Sequence, residues 1–172
     1  SLDYQGVQIN FKAPWTRLSV NDAFNQYASI PLNTALMKNC FEEIMTDEIE
    51  PQLGHNPVFL FDYPASLAAL ARTKPDDPST AERFELYIGG LELCNAFSEL
   101  VDPEEQRRRF MSEQDQRIKM KKNIYPMPDN FIDCLHNMPP ATGNALGIDR
   151  LVMLFANSPC IDEVLTFVPE EL

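Results

Sequence analysis

The sequence predicts an α+β domain, a mainly antiparallel sheet flanked by helices. Three observations carry that reading. Two apolar runs, 83–88 and 91–97, flank Gly89-Gly90, the pattern of a β-hairpin. A strand of small residues over 141–147 leads directly into a helix over 148–156. Between them, Asp102-Pro103-Glu104-Glu105 opens a helix that should run to about Lys122. Proline suits its first turn, and the acids sit near the positive end of its dipole.

The remaining elements follow in chain order. Residues 1–18 read as an N-terminal arm, and 19–172 as the domain proper. Val7, Ile9 and Phe11 alternate as in a short strand, which Ala13-Pro14-Trp15 breaks. Ser19 followed by Asp22 signals a helix start, and the helix should reach about Tyr27. A longer helix is expected from about Asn33 to Ile49, with Leu36, Met37, Cys40, Phe41 and Ile44 at helical spacing. Pro57-Val58-Phe59-Leu60-Phe61 suits a strand buried on both faces. Residues 71–80 hold two prolines and two aspartates and read as a surface loop. A short helix is expected over Asn130–His136.

Charge and composition exclude several classes. Fourteen Lys and Arg against 26 Asp and Glu leave a net charge of −12 over 172 residues. Proteins that coat nucleic acid rely on Lys and Arg to neutralise phosphates, so that class is disfavoured. Apolar residues make up 44% of the chain, enough for a core and wrong for a disordered segment. No run approaches the roughly 18–20 apolar residues that span a bilayer. Cys40, Cys94, Cys134 and Cys160 are far apart, as are His55 and His136. Zinc ligands cluster at short spacings, so these cysteines read as reduced, mostly buried thiols of a cytoplasmic protein. A first residue of Ser rather than Met reads as a processed or recombinant product.

The hairpin is unusual in its polar residues. Glu85, Glu92, Asn95 and Glu99 interrupt otherwise apolar strands. Glutamate is depleted in strands, and a buried carboxylate is costly unless paired or bound to metal. Paired carboxylates facing a phosphate are what Mg²⁺ needs; a polar face turned to water is the plainer alternative. A two-residue turn at Gly89-Gly90 sets Glu92 opposite Tyr87 and Cys94 opposite Glu85. Glu85 and Glu92 then share a face, while strict alternation sends Asn95, Phe97 and Glu99 to the other. One site uses all four polar groups only if a bulge falls between Glu92 and Asn95.

The strand over 143–147 has small residues at Gly143, Ala145 and Gly147, so one face is nearly bare backbone. Such a face admits a planar ring, or else close packing against another element. Arg150 follows in the first helical turn, where it can reach a phosphate.

Together, RFELYIGGLELCNAFSEL (83–100) and GNALGIDRLVMLF (143–155) resemble the C-terminal half of the catalytic domain of class II lysyl-tRNA synthetases. The second block is similar to their motif 3, usually written GxGxGxxR, which places that motif at 143–154. The resemblance covers about Pro57 to Phe167 and, more weakly, Ala13–Phe24. It implies a partial class II catalytic domain that binds ATP with Mg²⁺. By this resemblance Glu85 and Glu92 hold the metal and ATP, Leu93 contacts ATP through its backbone, and Gly147 and Arg150 contact adenine and the terminal phosphate. Asn95, Phe97, Glu99 and Ala145 would form the lysine pocket, with Glu99 facing ammonium groups. The implied reaction is activation of lysine or β-lysine as an adenylate, followed by transfer to an acceptor.

Two positions resemble the paralogous ligases that lack an anticodon-binding domain and lysylate elongation factor P. Position 91 is Leu where synthetases usually carry Arg, and position 145 is Ala where they usually carry Gly. The alternative acceptor is tRNA-Lys, and a non-catalytic synthetase-like module is a third reading. Nothing in residues 1–56 resembles motif 1 or motif 2. The chain is therefore expected to be part of a longer, homodimeric parent and inactive by itself.

Two further features have plain readings beside functional ones. Arg107, Arg108, Arg109, Arg117, Lys119, Lys121 and Lys122 lie on one predicted helix. They could dock an acidic partner, or simply solvate a helix that also carries Glu and Asp. Trp15 is expected to anchor the arm by packing.

Overall fold

The computed structural model describes residues 1–168. It divides into two compact units, one built from Ser1–Asp62, Phe84–Ala96 and the chain from Asn144 onward, the other from Tyr63–Arg83 and Phe97–Gly143.

The first unit opens on a hairpin, β1 (Leu2–Tyr4) against β2 (Val7–Ile9). Its turn residues Gln5 and Gly6 both have positive φ, 52° and 77°. The 1–18 segment thus holds two paired strands, and Ile9 is fully buried. β3 (Thr16–Ser19) runs parallel to β4 (Val58–Phe61), with Thr16 beside Val58. β4 is antiparallel to β5 (Arg83–Ile88), with Val58 beside Tyr87. With β6 (Leu91–Ser98) and β7 (Thr142–Leu146) they form a five-stranded sheet in the order β3-β4-β5-β6-β7. The β3–β4 pair is parallel and the β4–β5 pair antiparallel. Trp15 stacks on Phe59, ring centroids 5.6 Å apart, which fixes the start of β3.

α1 (Val20–Tyr27) starts where its cap signal predicts: Ser19 Oγ accepts from the Asp22 amide at 3.0 Å. The long helix expected over 33–49 is broken. α2 (Leu32–Lys38) ends at Asn39, which adopts the left-handed conformation at φ 53°. The Asn39 and Cys40 amides close the helix end on the Leu36 and Ala35 carbonyls. α3 (Phe41–Ile44) then runs into a π-helical turn, Met45–Ile49. The break lets Ala35, Phe41, Ile44, Met45 and Ile49 all be buried, while Met37 is left exposed. Helical spacing alone cannot register such a change of direction.

A core of Tyr4, Ile9, Ile88, Leu93 and Leu154 lies under the β5–β6 turn. Gly89 has φ 65°, and a Cβ there would lie 3.0–3.2 Å from Leu154, Tyr4 and Ile9. Glycine is required here by both backbone and space. The α-helix Ile148–Ala156 of this unit follows the predicted bounds and buries Met153 and Leu154. Its other side, with Ile148, Val152 and Phe155, is exposed.

The second unit carries α4 (Pro103–Lys119) and α5 (Asp129–Cys134). Asp102 caps α4 by accepting from the Glu104 and Glu105 amides. α4 stops three residues before the expected Lys122, because Lys121 takes a left-handed conformation at φ 56°. The arginines of this stretch are engaged. Arg107 pairs with Asp129 at 2.6 Å, Arg109 with Glu105 at 2.8 Å, and Arg117 lies over the Tyr125 ring. These three are tied into the unit and do not simply solvate the helix. Arg109 also donates to the Ala68 and Ala71 carbonyls, and Gln106 to that of Ala69. The expectation of mostly buried thiols fails at two of four positions: Cys94 is buried, Cys40 partly so, and Cys134 and Cys160 are exposed. Among the described residues no helix is long and apolar enough to cross a membrane.

Candidate active site

The site is built on one face of the β5–β6 hairpin, the other being packed on the core. Leu86, Ile88, Leu91 and Leu93 pack on the apolar core, so Glu85, Tyr87 and Glu92 face the other way. Glu85 is a buried carboxylate, 7% exposed. The Tyr87 hydroxyl donates to its Oε2 at 2.8 Å, and the Asn95 side-chain amide donates to its Oε1 at 3.2 Å.

Asn95 therefore lies on the face of Glu85. Leu93, two residues earlier on the same strand, packs with Leu154 on the opposite face. Alternation is interrupted between them, and Glu92 and Asn95 come to one side.

Arg150 reaches this side from the first turn of the Ile148–Ala156 helix. Its Nη1 donates to the Glu92 carbonyl at 2.8 Å and lies 3.2 Å from Glu92 Oε2. Gly147 begins that helix and donates its amide to the Leu93 carbonyl at 2.8 Å. Strand and helix are thereby pinned to the middle of β6. Between them opens a cleft of about 330 Å³, lined by Glu92, Asn95, Ala145, Gly147, Asp149 and Arg150 among others. Ala145 is exposed to it.

Two candidate residues belong to the second unit. A Cβ on Gly143 would collide with Glu99 Oε1, so the glycine leaves room for that carboxylate. Phe97 packs against the buried Ala68, Ala71 and Ala81.

The first-unit site is strongly acidic. Burial, then the nearby charges of Glu85 and Glu92, push the Glu50 carboxyl above its ordinary range, although a hydrogen bond from Tyr87 opposes this. Burial and Glu85 raise the Tyr87 phenol, keeping it protonated. Burial raises the Cys94 thiol as well.

Among the described residues, no three His, Cys, Asp or Glu side chains gather closely enough to hold a metal unaided. Glu85 and Glu92 are nevertheless two carboxylates on one face of the hairpin. That donor set suits Mg²⁺, which takes one or two carboxylates and completes its shell with phosphate oxygens and water.

Sequence reasoning missed Glu50 and the tie from Asn95 to Glu85. Glu50 lies in an acidic helical stretch with no motif around it, so no local signal marks it. The Tyr87 hydroxyl is legible only once its partners are placed.

A family model for class II tRNA synthetases (D, K and N) matches residues 2–171. The chain belongs to this family. Its mixed sheet-and-helix architecture is that of part of a class II synthetase domain. It is 36% identical to a lysine–tRNA ligase of Prochlorococcus marinus subsp. pastoris, over 96% of this chain and 37% of that protein. It is 36% identical to a lysine–tRNA ligase of Moorella thermoacetica, over 95% of this chain and 38% of that one. A lysine–tRNA ligase of Dehalococcoides mccartyi (strain ATCC BAA-2266) is 37% identical over 97% of the chain. The chain thus spans somewhat over a third of the length of these relatives. The class II match begins at residue 2 and takes in the 1–56 region, where the motif-based resemblance is weak.

Proposed function

We propose that this class II synthetase domain supplies part of a site that activates lysine or β-lysine with ATP. The carrying observation is the convergence of Glu92, Asn95 and Arg150 at one cleft bordered by the Gly147 turn, with the buried Glu85 bonded to Asn95 behind it. Glu85 and Glu92 would bind Mg²⁺, which when present offsets phosphate charge. Arg150, already held by Glu92, would meet the terminal phosphate, and Gly147 and the Leu93 backbone would border the adenine. Asn95 and Ala145 are assigned to the amino-acid substrate, and Glu99 and Phe97 keep the lysine-binding role that the resemblance implies.

In the reaction, a substrate carboxylate oxygen bonds to the α-phosphorus of ATP, the α–β anhydride bond breaks and pyrophosphate leaves. An acceptor amine or hydroxyl then attacks the activated carbonyl, and AMP departs. The chain's residues act by binding and orienting charge for this step.

For the acceptor we propose elongation factor P, on the strength of Leu91 and Ala145. The second reading is tRNA-Lys, favoured by relatives named lysine–tRNA ligases. We place the protein in the cytoplasm, in keeping with its free thiols. The 172 residues alone are proposed to bind nucleotide without turning it over. Residues 1–56 show no counterpart of the motif 2 arginine, and losing one preorganised donor typically costs about 100- to 1000-fold in rate.

ATP–pyrophosphate exchange tests this. A protein carrying these residues together with motif 2 should exchange with lysine or β-lysine, and lose exchange on Glu85→Gln or Glu92→Gln. Exchange undiminished in both variants would overturn the assignment. Supplying elongation factor P or tRNA-Lys to the activated enzyme separates the two acceptors.

A further inference from the structure

Glu50 has no place in the roles assigned above, yet it touches the site. Its Oε1 lies 3.2 Å from the Tyr87 hydroxyl, which itself donates to Glu85 Oε2 at 2.8 Å. Tyr87 is 3% exposed and Glu85 7%. All three residues belong to the same unit, and Glu50 arrives from the turn that follows the π-helical segment.

One phenolic proton stands between two carboxyl groups. The hydroxyl donates to Glu85 over the shorter contact and, more weakly, to Glu50 over the longer one. On its other side Glu85 is held through Oε1 by Asn95. Its two oxygens are thus gripped from opposite directions, one by the substrate-side amide and one by a phenol that is backed by Glu50.

We propose that Tyr87 and Glu50 form a brace that holds the Glu85 carboxylate in its metal-binding orientation, Glu50 acting through Tyr87 as a positioning residue. The inference rests on the proposed metal role of Glu85. A ligating carboxylate depends on the partners that orient it, and losing such a partner typically costs about 10- to 100-fold in metal affinity. Glu50 acts by accepting from the phenol hydroxyl, not by contributing a ligand. An amide oxygen in its place can still accept from that hydroxyl, whereas a methyl group cannot.

The test is the Mn²⁺ affinity of the ATP-loaded 172-residue chain, read by electron paramagnetic resonance. Metal-free ATP affinity and the thermal midpoint are measured alongside. Tyr87→Phe and Glu50→Ala should each weaken Mn²⁺ binding by about tenfold. Metal-free ATP affinity should not move. Glu50→Gln should retain Mn²⁺ affinity, and Glu85→Gln should lose it. Wild-type affinity in Tyr87→Phe, or a loss in Glu50→Gln as deep as in Glu50→Ala, overturns the brace while leaving the metal role of Glu85 standing. Undiminished Mn²⁺ binding in Glu85→Gln overturns that metal role, and the brace with it. Should Tyr87→Phe not fold, the contrast between Glu50→Ala and Glu50→Gln decides alone.

Discussion

Arg150 donates from one nitrogen, Nη1, to the backbone carbonyl of Glu92 at 2.8 Å, and the same atom lies 3.2 Å from that residue's carboxylate. Both side chains are partly exposed, 47% and 35%. Exposed pairs of this kind contribute about 0–1 kcal/mol to stability. Arg150→Ala should therefore shift the denaturation midpoint little. It should weaken ATP binding much more, since a hydrogen bond to a charged group contributes about 1.5–3 kcal/mol. Calorimetric titration beside urea denaturation checks the split. Equal losses in both would assign Arg150 to the fold instead.

Gly143 and Glu99 form a second separable pair. An alanine at 143 would displace the end of the Glu99 side chain, a flexible group, so the cost in stability should stay under about 1 kcal/mol. The carboxylate would leave its place beside the strand. Gly143→Ala should then weaken lysine binding while sparing ATP, as two titrations on the same protein would reveal. Unaltered lysine affinity would remove Glu99 from the substrate site.

Glu50 predicts a pH dependence. Its folded-state pKa lies above the ordinary value of 4.5, chiefly through burial. Above that value the unfolded chain gives up this proton first, and the folded state holds it longer. Stability from this group is thus lost as pH rises from 4.5 through the folded value, and the penalty persists beyond it. Glu50→Gln removes the penalty. The variant should be more stable than wild type at about pH 8 and show no such gain at about pH 4. Urea denaturation at both values checks the sign, and a gain confined to the acid side would contradict it.

Ala145 is exposed at the cleft that Asn95 and Arg150 also line. Its methyl is assigned to shaping the space beside the substrate backbone. Ala145→Gly in an exchange-active protein should widen acceptance toward α-lysine over β-lysine. Glycine in a strand costs about 0.5–1 kcal/mol in stability. Competition between the two amino acids gives the measurement, and an unchanged ratio would refute the role.

The parts legible in sequence were those specified by local chemistry. The Ser19 cap, the Gly89-Gly90 turn and the helix at Ile148–Ala156 each follow from a few adjacent residues. Counting along β6 also showed that Glu92 and Asn95 could share a face only through an interruption. That interruption lies between Leu93 and Asn95, since Leu93 packs on the core and Asn95 bonds to Glu85. What escaped depends on distant partners. Asn39 turns left-handed because Phe41, Ile44 and Ile49 have a core to fill, which no spacing between 33 and 49 reveals. Leu2–Tyr4 became a strand because β2 was there to pair with it. Glu50 joins Tyr87 across 37 residues, and only the folded chain brings that pair into contact.

Glu85 and Glu92 are proposed to bind a metal–nucleotide pair on this hairpin. The most direct measurement is calorimetric titration of ATP into the 172-residue chain, with and without Mg²⁺. It is repeated on the Glu85→Gln, Glu92→Gln double variant. Saturable binding that Mg²⁺ strengthens is expected in the native chain, and loss of that strengthening in the double variant. Equal response to Mg²⁺ in both proteins would contradict it.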